Sequence, residues 1–234
     1  MDRPVSIAIE TSCRRGGVAL GAGERLVETV TFKSDRRHAV QLVSRLDEML
    51  GRAGLEPADL NEVYVSVGPG SFTGLRVGIT VARTLAQAVA GLRCVAVATV
   101  EAVAERAAEM DFENLGVVMD AKGETIFAAV YARRGGRLVP KSPPALIEAG
   151  RFLAQAPRPI TLIGEGLGYH DLAGEGVTLG AEDLWLPTAE GVWRVGRRMA
   201  AAGQFIAHEH LLPLYLRKPE AVRLWESRRG RKDD

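Results

Sequence analysis

The chain has 234 residues, 47% of them hydrophobic and 25% charged, so it has enough apolar material for one large domain or two small ones. Its 30 basic and 29 acidic side chains leave a net charge of +1, which argues against a protein that binds chiefly by neutralising many phosphates. The two cysteines, Cys13 and Cys94, form no Cys-x-x-Cys pair, which argues against a disulfide framework or a cysteine-rich zinc site.

The first hundred residues alternate between strand-like and helix-like segments. Short apolar or alternating runs predict strands at residues 5–9, 16–20, 25–32, 63–67 and 92–97. Apolar residues at helical spacing predict helices from about Arg37 to Leu50, from Ser71 to Ala90 and from Val100 to Glu109, with Thr99 as the cap of the third. Strands that alternate with helices indicate an α/β domain.

The segment from residue 115 to residue 130 repeats the order of the segment from residue 5 to residue 20. When the two are laid together without gaps, Glu10 falls on Asp120 and the strand at 18–20 falls on 128–130. One short match of this kind also arises by chance, but a true repeat sets the architecture. It predicts two related lobes, each opening with a hairpin that delivers a carboxylate to the cleft between them, as in the actin-like ATPase superfamily.

The rest of the second half carries weaker signals. Prolines interrupt the pattern near residue 140, and the sequence then predicts a short helix at Ile147–Leu153 and a buried strand at residues 160–163. Thr188 is the expected N-cap of a helix that runs to about Ala202. The last residues, 228–234, form a charged tail.

The run from Gly68 to Gly78 carries the most information. A glycine-rich turn between a strand and a helix can offer backbone N–H groups to an anion. The phosphate-binding pattern, however, requires Lys and then Ser or Thr after its last glycine, whereas Leu75 and Arg76 follow Gly74. We therefore favour a tight turn with Ser71 as the N-cap of the next helix over a phosphate site.

The helix that follows this turn has too wide an apolar arc for a one-sided helix. Its polar residues form a single strip, made of Arg76, Thr80, Arg83, Thr84 and Gln87. Gly74, Gly78 and Ala82 recur every four residues and form a smooth ridge, although glycine inside a helix costs about 0.8–1.0 kcal/mol relative to alanine. The pattern fits two interpretations equally. Either the helix is buried on two sides within its own domain, or one side is buried in its own domain and the other side against a partner.

Several segments together, in this order, resemble the TsaB family, and the resemblance covers nearly the whole chain. They are residues 7–12, His38, residues 67–78, 119–121, 164–166 and 213–217, and the stretch Gly68–Gly78 is the most specific. The resemblance implies a two-lobed actin-like α/β fold with duplicated mixed sheets flanked by helices. It assigns residues 1–100 to an N-terminal lobe with partner-binding helices and residues 101–234 to a C-terminal lobe with a charged tail.

The resemblance also implies a function in making threonylcarbamoyladenosine on tRNA. TsaB proteins are non-catalytic partners of the metal-bearing TsaD subunit, which transfers the threonylcarbamoyl group, and a TsaE ATPase joins them. TsaD relatives carry two histidines four residues apart, whereas this chain has His38 and Leu42, so we expect no metal. The first two long helices are the expected pairing surface, with these residues in it: His38, Leu42, Leu46, Ser71, Phe72, Gly74, Leu75, Arg76, Gly78, Val81 and Ala82.

Four residues mark a candidate nucleotide cleft: Glu10, Thr11, Asp120 and Gly164. Carboxylates at such strand ends hold Mg–nucleotide in active actin-like proteins, and ATP or ADP with Mg could bind in the partner complex. The alternative, which we favour, is two acids that cap turns. The pair Glu10-Thr11 departs from the Asp-Thr more usual in TsaB and matches TsaD instead.

These observations lead to a partner protein that acts by binding. We expect a homodimer in isolation, because a large exposed apolar surface is rare in a monomer, and contact with tRNA only through the complex. The basic C-terminal quarter could touch tRNA phosphates or simply be solvated. The alternative function is an active ATP-dependent kinase or carbamoyl-type transferase, whereas a protease lacks any recognisable Ser/His/Asp or Cys/His arrangement. The sequence shows no leader peptide and no apolar run of about 20 residues, so we expect a cytoplasmic protein.

Overall fold

The computed structural model describes residues 3–33 and 38–215. Its first five strands form one mixed sheet in the order β3-β2-β1-β4-β5. They are β1 (Val5–Glu10), β2 (Arg15–Ala22), β3 (Arg25–Lys33), β4 (Glu62–Gly68) and β5 (Arg93–Ala98). β1 runs antiparallel to β2 and parallel to β4, and β5 continues the sheet parallel to β4. The strands predicted for this half of the chain are confirmed.

Helices cover both faces of this first sheet. The described residues contain α1 (His38–Ala53), α2 (Phe72–Ala88), α3 (Thr99–Ala104), α4 (Ala149–Gln155) and α5 (Ala189–Ala201). Successive side chains of a strand point to opposite faces. Ile7 and Ile9 of β1 therefore pack with the residues of α1 and α2, while Ala8 packs with those of α5 on the other face. By the same alternation, Glu10 lies on the α5 face.

The second sheet repeats the topology of the first. Its strands are β6 (Leu115–Asp120), β7 (Thr125–Arg134), β8 (Arg137–Pro140), β9 (Ala145–Glu148), β10 (Ile160–Ile163) and β11 (Val177–Leu179). The order is β11-β10-β6-β7-β8, and β9 pairs with β7 outside this path. In the reverse order, β8, β7 and β6 form an antiparallel unit, and β10 and β11 continue the sheet parallel to β6. This is the same arrangement as in the first sheet. The internal repeat and the two-lobed actin-like fold class are confirmed.

The repeat extends to the ends of the two first strands. β1 ends at Glu10, and β6 ends at Asp120. Each of these carboxylates accepts a hydrogen bond from the backbone N–H two residues further on, from Ser12 at 2.5 Å in the first sheet and from Lys122 at 3.0 Å in the second. The alignment of Glu10 with Asp120 therefore reflects the same local structure in both lobes.

The C-terminal part of the chain returns to the first sheet, so the division at residue 100 is incomplete. The two sheets separate between Ala98 and Leu115, but α5 packs on the first sheet. Further on, the Ile206 N–H donates to the Cys94 carbonyl oxygen at 2.9 Å, and the Leu214 N–H donates to that of Val67 at 2.6 Å. The first lobe thus includes residues from both ends of the described chain.

Two local predictions are wrong in detail. Ala98, not Thr99, is the residue before α3, and that helix ends at Ala104 with a 3-10 turn behind it. The segment Ile147–Leu153 is not one helix, because β9 occupies its start and α4 its remainder. Pairing of β9 with β7 is a long-range interaction, and helical periodicity over seven residues gives no sign of it.

Candidate functional site

The Gly-Pro-Gly turn leads into α2 as predicted, and Ser71 is its N-cap. The Ser71 hydroxyl accepts a hydrogen bond from the Gly74 N–H at 3.2 Å. The Ser71 N–H itself donates to the Ser12 carbonyl oxygen at 2.6 Å, and a Cβ on Gly70 would collide with that same oxygen. The turn is therefore packed on the chain's own first hairpin, which argues against an anion site at this helix end.

The glycine ridge of α2 also faces the chain's own core. A Cβ on Gly74 would collide with the Thr11 carbonyl oxygen, and one on Gly78 with the Thr11 hydroxyl. The Thr11 hydroxyl donates to the Gly74 carbonyl oxygen at 2.8 Å. The two glycines are needed because α2 crosses the end of β1 at very short range. The inference that this ridge receives a partner helix is therefore wrong.

Other residues of the expected pairing surface are inside the protein as well. Four members of this expected surface are buried in the first lobe: Leu42, Leu46, Leu75 and Ala82. Val81 is half-buried and packs on the same core. The side chain of His38 lies outside the described residues. Among the members of the expected set whose side chains the structure describes, only Ser71, Phe72 and Arg76 are exposed. Any partner surface on α2 must therefore be its outer face rather than the glycine-lined one.

The outer face of α2 carries an exposed apolar cluster that the sequence alone did not indicate. Phe72, 40% exposed, stacks on Tyr215, 43% exposed, with ring centroids 4.8 Å apart. Leu212 and Leu214 are exposed in the same extended segment as Tyr215. We call these four residues the α2 patch. The Arg76 guanidinium lies 5.4 Å from the Phe72 ring centroid and places a positive charge at the edge of the patch.

A groove of about 360 Å³ runs beside the α2 patch. One wall is the polar strip predicted from the sequence, and the other is the segment from Leu211 to Tyr215. The strip residues are Arg76, Thr80, Arg83, Thr84 and Gln87. The groove therefore combines two arginine side chains with apolar surface from Ile79 and Pro213, a composition suited to an acidic and partly apolar partner segment.

Glu10 is fully buried, and its side chain caps the turn that follows β1. Its Oε1 atom accepts hydrogen bonds from the Ser12 N–H at 2.5 Å and from the Ser12 hydroxyl at 2.6 Å. Burial raises the pKa of Glu10, and the hydrogen bonds from Ser12 and from the Ser66 side chain oppose this only in part. Burial likewise raises the pKa of the neighbouring Cys13 to about 12, so that thiol is not an activated nucleophile.

Asp120, the counterpart of Glu10, has partners that the sequence did not indicate. Besides the Lys122 N–H, its Oδ1 atom contacts Nε2 of the buried His170 side chain at 3.1 Å. Burial raises the pKa of Glu165, and the charge of Asp120 raises it further. His170 and Glu165 lie about 50 residues beyond Asp120 in the sequence, and no spacing motif links them to it.

The four residues of the candidate nucleotide cleft do not form one open binding surface. Thr11 is directed to α2, and Gly164, with φ of +113°, packs against the Val118 carbonyl oxygen. Glu10 and Asp120 each hold their own turn. The structure favours the capping interpretation for both carboxylates.

Within residues 3–33 and 38–215, no helix is long and apolar enough to cross a membrane.

Comparison with known proteins agrees with these features. The family model described as "TsaD: tRNA N6-adenosine threonylcarbamoyltransferase" matches residues 28–214. The chain is similar to the "tRNA threonylcarbamoyladenosine biosynthesis protein TsaB" of Bacillus subtilis (strain 168), at 26% identity over 94% of this chain and 96% of that protein. It is 28% identical to the protein of the same name from Escherichia coli (strain K12), over 90% of this chain and 94% of the relative.

Two solved structures are also similar to this chain over nearly its whole length. YeaZ from Pseudomonas aeruginosa superposes with a TM-score of 0.80 at 26% identity, over 91% of this chain and 100% of that one. A second structure from Pseudomonas aeruginosa, described as an uncharacterized protein with similarity to peptidase YEAZ, also has a TM-score of 0.80. Its identity is 27%, over 92% of this chain and 100% of that one.

The contact between α2 and Thr11 predicts opposite effects for two helical glycines. Gly78→Ala should lower the free energy of unfolding by about 1–3 kcal/mol, because the new methyl group collides with Thr11. Gly51→Ala in α1 should raise it by up to about 1 kcal/mol, since nothing lies within 4 Å of the added Cβ. Urea unfolding of both variants measures this. Equal effects of the two substitutions would contradict the packing described for α2.

Burial of Glu10 predicts a pH-dependent stability difference. A carboxyl whose folded-state pKa is raised contributes stability that is lost as the pH rises from its ordinary value of 4.5 through the folded-state pKa. Glu10→Gln cannot ionise, so it should become more stable relative to wild type over this range. The change is at most about 1.4 kcal/mol per pH unit. Urea unfolding of both proteins from about pH 4 to about pH 8 tests this, and a pH-independent difference would contradict it.

Proposed function

Because the chain belongs to the family of the tRNA N6-adenosine threonylcarbamoyltransferase model, and within it to the TsaB proteins, we propose that it is a non-catalytic subunit that binds and activates a TsaD-type catalytic subunit. The chain takes part in threonylcarbamoyladenosine biosynthesis on tRNA. Its proposed contribution to that reaction is a surface, and the observation that carries this proposal is the exposed α2 patch beside a groove with two arginines.

The strand-end carboxylates support a non-catalytic role. An active site of this fold needs its carboxylates free to hold a metal or position a phosphate. Here Glu10 and Asp120 are engaged by Ser12 and Lys122. Leu42, at the position where TsaD relatives are expected to carry the second histidine of the metal pair, is fully buried in the core. This chain would therefore rely on the catalytic subunit for both the metal and the transfer chemistry.

The α2 patch has the composition of a protein-binding surface. Aromatic residues and arginine are enriched at interfaces, and Phe72, Tyr215 and Arg76 form one stacked group. Large apolar side chains grouped in this way are unusual on a monomer. We therefore propose that the patch pairs two copies of the chain in isolation and pairs the chain with the catalytic subunit in the complex.

The remaining members of the assembly follow from this arrangement. A TsaE-type ATPase would join the pair, and tRNA would be contacted through the complex rather than by this chain alone. ATP or ADP with Mg would bind in the assembled complex. As part of a tRNA-modifying assembly, the chain would function in the cytoplasm.

Two exposed tyrosines provide a matched test of the catalytic partnership. Tyr215→Asp should weaken co-purification with the TsaD-type subunit and lower its affinity at least tenfold, because it places a charge beside Phe72. Tyr169→Asp is the control, since Tyr169 is 60% exposed but follows the 3-10 helix Glu165–Gly168 in the second lobe. Calorimetric titration of each variant with the catalytic subunit measures the effect. Equal affinity of wild type and both variants would refute the proposed surface.

The same pair of variants tests self-association. In sedimentation equilibrium, the wild-type chain and Tyr169→Asp should be dimers and Tyr215→Asp a monomer. A wild-type monomer would show that the α2 patch does not pair two copies. A variant at Gly78 is unsuitable for this purpose, because any side chain there disturbs Thr11 and hence the fold.

A further inference from the structure

The hairpin of β7 and β8 carries a local excess of positive charge. Residues 133–141 contain four basic side chains and no acidic one, whereas the whole chain balances 30 basic residues against 29 acidic ones. The four are Arg133, Arg134, Arg137 and Lys141. They lie in the second lobe, so they are separate from the α2 patch on the first lobe.

The basic side chains of this hairpin differ from other arginines of the chain in their ionic partners. Six arginines elsewhere each pair with a glutamate, and they are Arg45, Arg52, Arg93, Arg194, Arg197 and Arg198. Among the ion pairs of residues 3–33 and 38–215, none involves a basic residue of the hairpin. The positive charge of the hairpin is therefore left without a neutralising carboxylate in the described part of the chain.

The hairpin projects from the second sheet. β7 pairs with β6 only as far as Tyr131, opposite the first residue of β6, but its pairing with β8 continues to Arg134, opposite Arg137. The tip thus extends about 10 Å past β6, since a strand rises about 3.3 Å per residue. Gly135 and Gly136 form the turn with positive φ of +55° and +74°, and a Cβ on either would meet no atom within 4 Å. The tip is narrow and open to large partners.

Two of the four basic side chains are fixed by neighbouring groups. The Arg133 Nη2 atom donates to the Met110 carbonyl oxygen at 2.9 Å, and its guanidinium lies 5.1 Å from the Phe112 ring centroid. The Lys141 ammonium donates to the Asn114 Oδ1 atom at 2.8 Å. These contacts hold two positive charges at the base of the hairpin, where they add to the field at its tip.

The other two, Arg134 and Arg137, lie directly opposite each other across the strand pair. Residues so placed have Cβ atoms about 4.5–5.5 Å apart on one face of the sheet, and like charges there are destabilising. Both side chains are exposed, and within the described residues neither forms a hydrogen bond or an ion pair. Charges also protect an edge strand from pairing, but a strand of only four residues such as β8 needs little protection. An anionic partner bound by both guanidinium groups would offset their repulsion.

We propose that the tip of this hairpin binds the phosphate backbone of tRNA in the complex with the catalytic subunit, an inference that rests on the proposed function. tRNA is the polyanion named for the biosynthesis in which this chain's relatives act. The guanidinium fork of arginine matches phosphate oxygens, so Arg134 and Arg137 would each contact one phosphate. A projecting tip does not enclose a small anion, and a nucleotide or free phosphate therefore fits less well than a strand with repeated phosphates. Two such contacts agree with the balanced net charge of the chain.

The double variant Arg134→Gln/Arg137→Gln tests this in the reconstituted complex with the TsaD-type subunit. Its affinity for tRNA should fall by at least about fivefold at low salt, and the slope of log K against log salt concentration should decrease by about 2, because fewer counterions are released. The control Arg25→Gln/Arg151→Gln removes the same charge from exposed positions of β3 and α4, and it should leave both quantities unchanged. Fluorescence anisotropy with labelled tRNA at several salt concentrations measures them.

Gel filtration of each complex separates this inference from the proposed function. If the wild-type chain and the catalytic subunit do not associate, the proposed function fails and the inference fails with it. If both double variants form the complex but bind tRNA as the wild type does, the inference alone is overturned. Equal losses in the two double variants would indicate an effect of net charge and overturn it as well. Binding of the wild-type chain to phosphatidylglycerol vesicles, lost in Arg134→Gln/Arg137→Gln while tRNA affinity stays unchanged, would assign the tip to a lipid surface and also overturn it.

Discussion

The short-range contact between α2 and the end of β1 is the constraint on which the rest of the structure depends. Gly74 and Gly78 let the helix backbone approach Thr11, whose hydroxyl donates to the Gly74 carbonyl oxygen at 2.8 Å. The Ser71 N–H donates a hydrogen bond to the Ser12 carbonyl oxygen at 2.6 Å. The Glu10 carboxylate accepts hydrogen bonds from the N–H and the hydroxyl of Ser12 on the other side of the segment. The segment Glu10–Ser12 is thereby fixed between its own carboxylate and α2.

This constraint separates the two faces of the first sheet. Thr11 belongs to the α2 face, where the outer side of the helix and the segment Leu211–Tyr215 form the α2 patch and its groove. Glu10 belongs to the α5 face, where it is buried near Thr188 at the start of α5. Both faces receive residues from the second half of the chain, Thr188 on one face and Tyr215 on the other. The return of these residues to the first lobe therefore covers one face of the sheet and completes the α2 patch on the other.

The sequence predicted those features that depend on local interactions. Ser71 and Thr188 act as N-caps because each hydroxyl reaches the backbone N–H three residues ahead. The alignment of Glu10 with Asp120 identified the duplication, since both acids follow an apolar strand and precede a hairpin. The polar strip of α2 was also correct, because helical periodicity fixes which residues share a face.

Features that depend on long-range packing could not be predicted in this way. Periodicity shows that Gly74 and Gly78 lie on one side of α2, but the same pattern serves a partner helix or the chain's own Thr11. The position of Leu214 against Val67 joins residues almost 150 apart, and no local signal specifies it. His170 and Glu165 reach Asp120 through the fold of the second lobe alone.

Calorimetric titration of the isolated chain with Mg–ATP, combined with an assay for released ADP, tests the central claim most directly. A chain whose strand-end segment is closed by Glu10 and α2 should bind no nucleotide at concentrations up to about 1 mM and release no ADP. Binding in the micromolar range together with turnover would contradict the account, because it would require Glu10 and Ser12 to be free for the nucleotide and the metal.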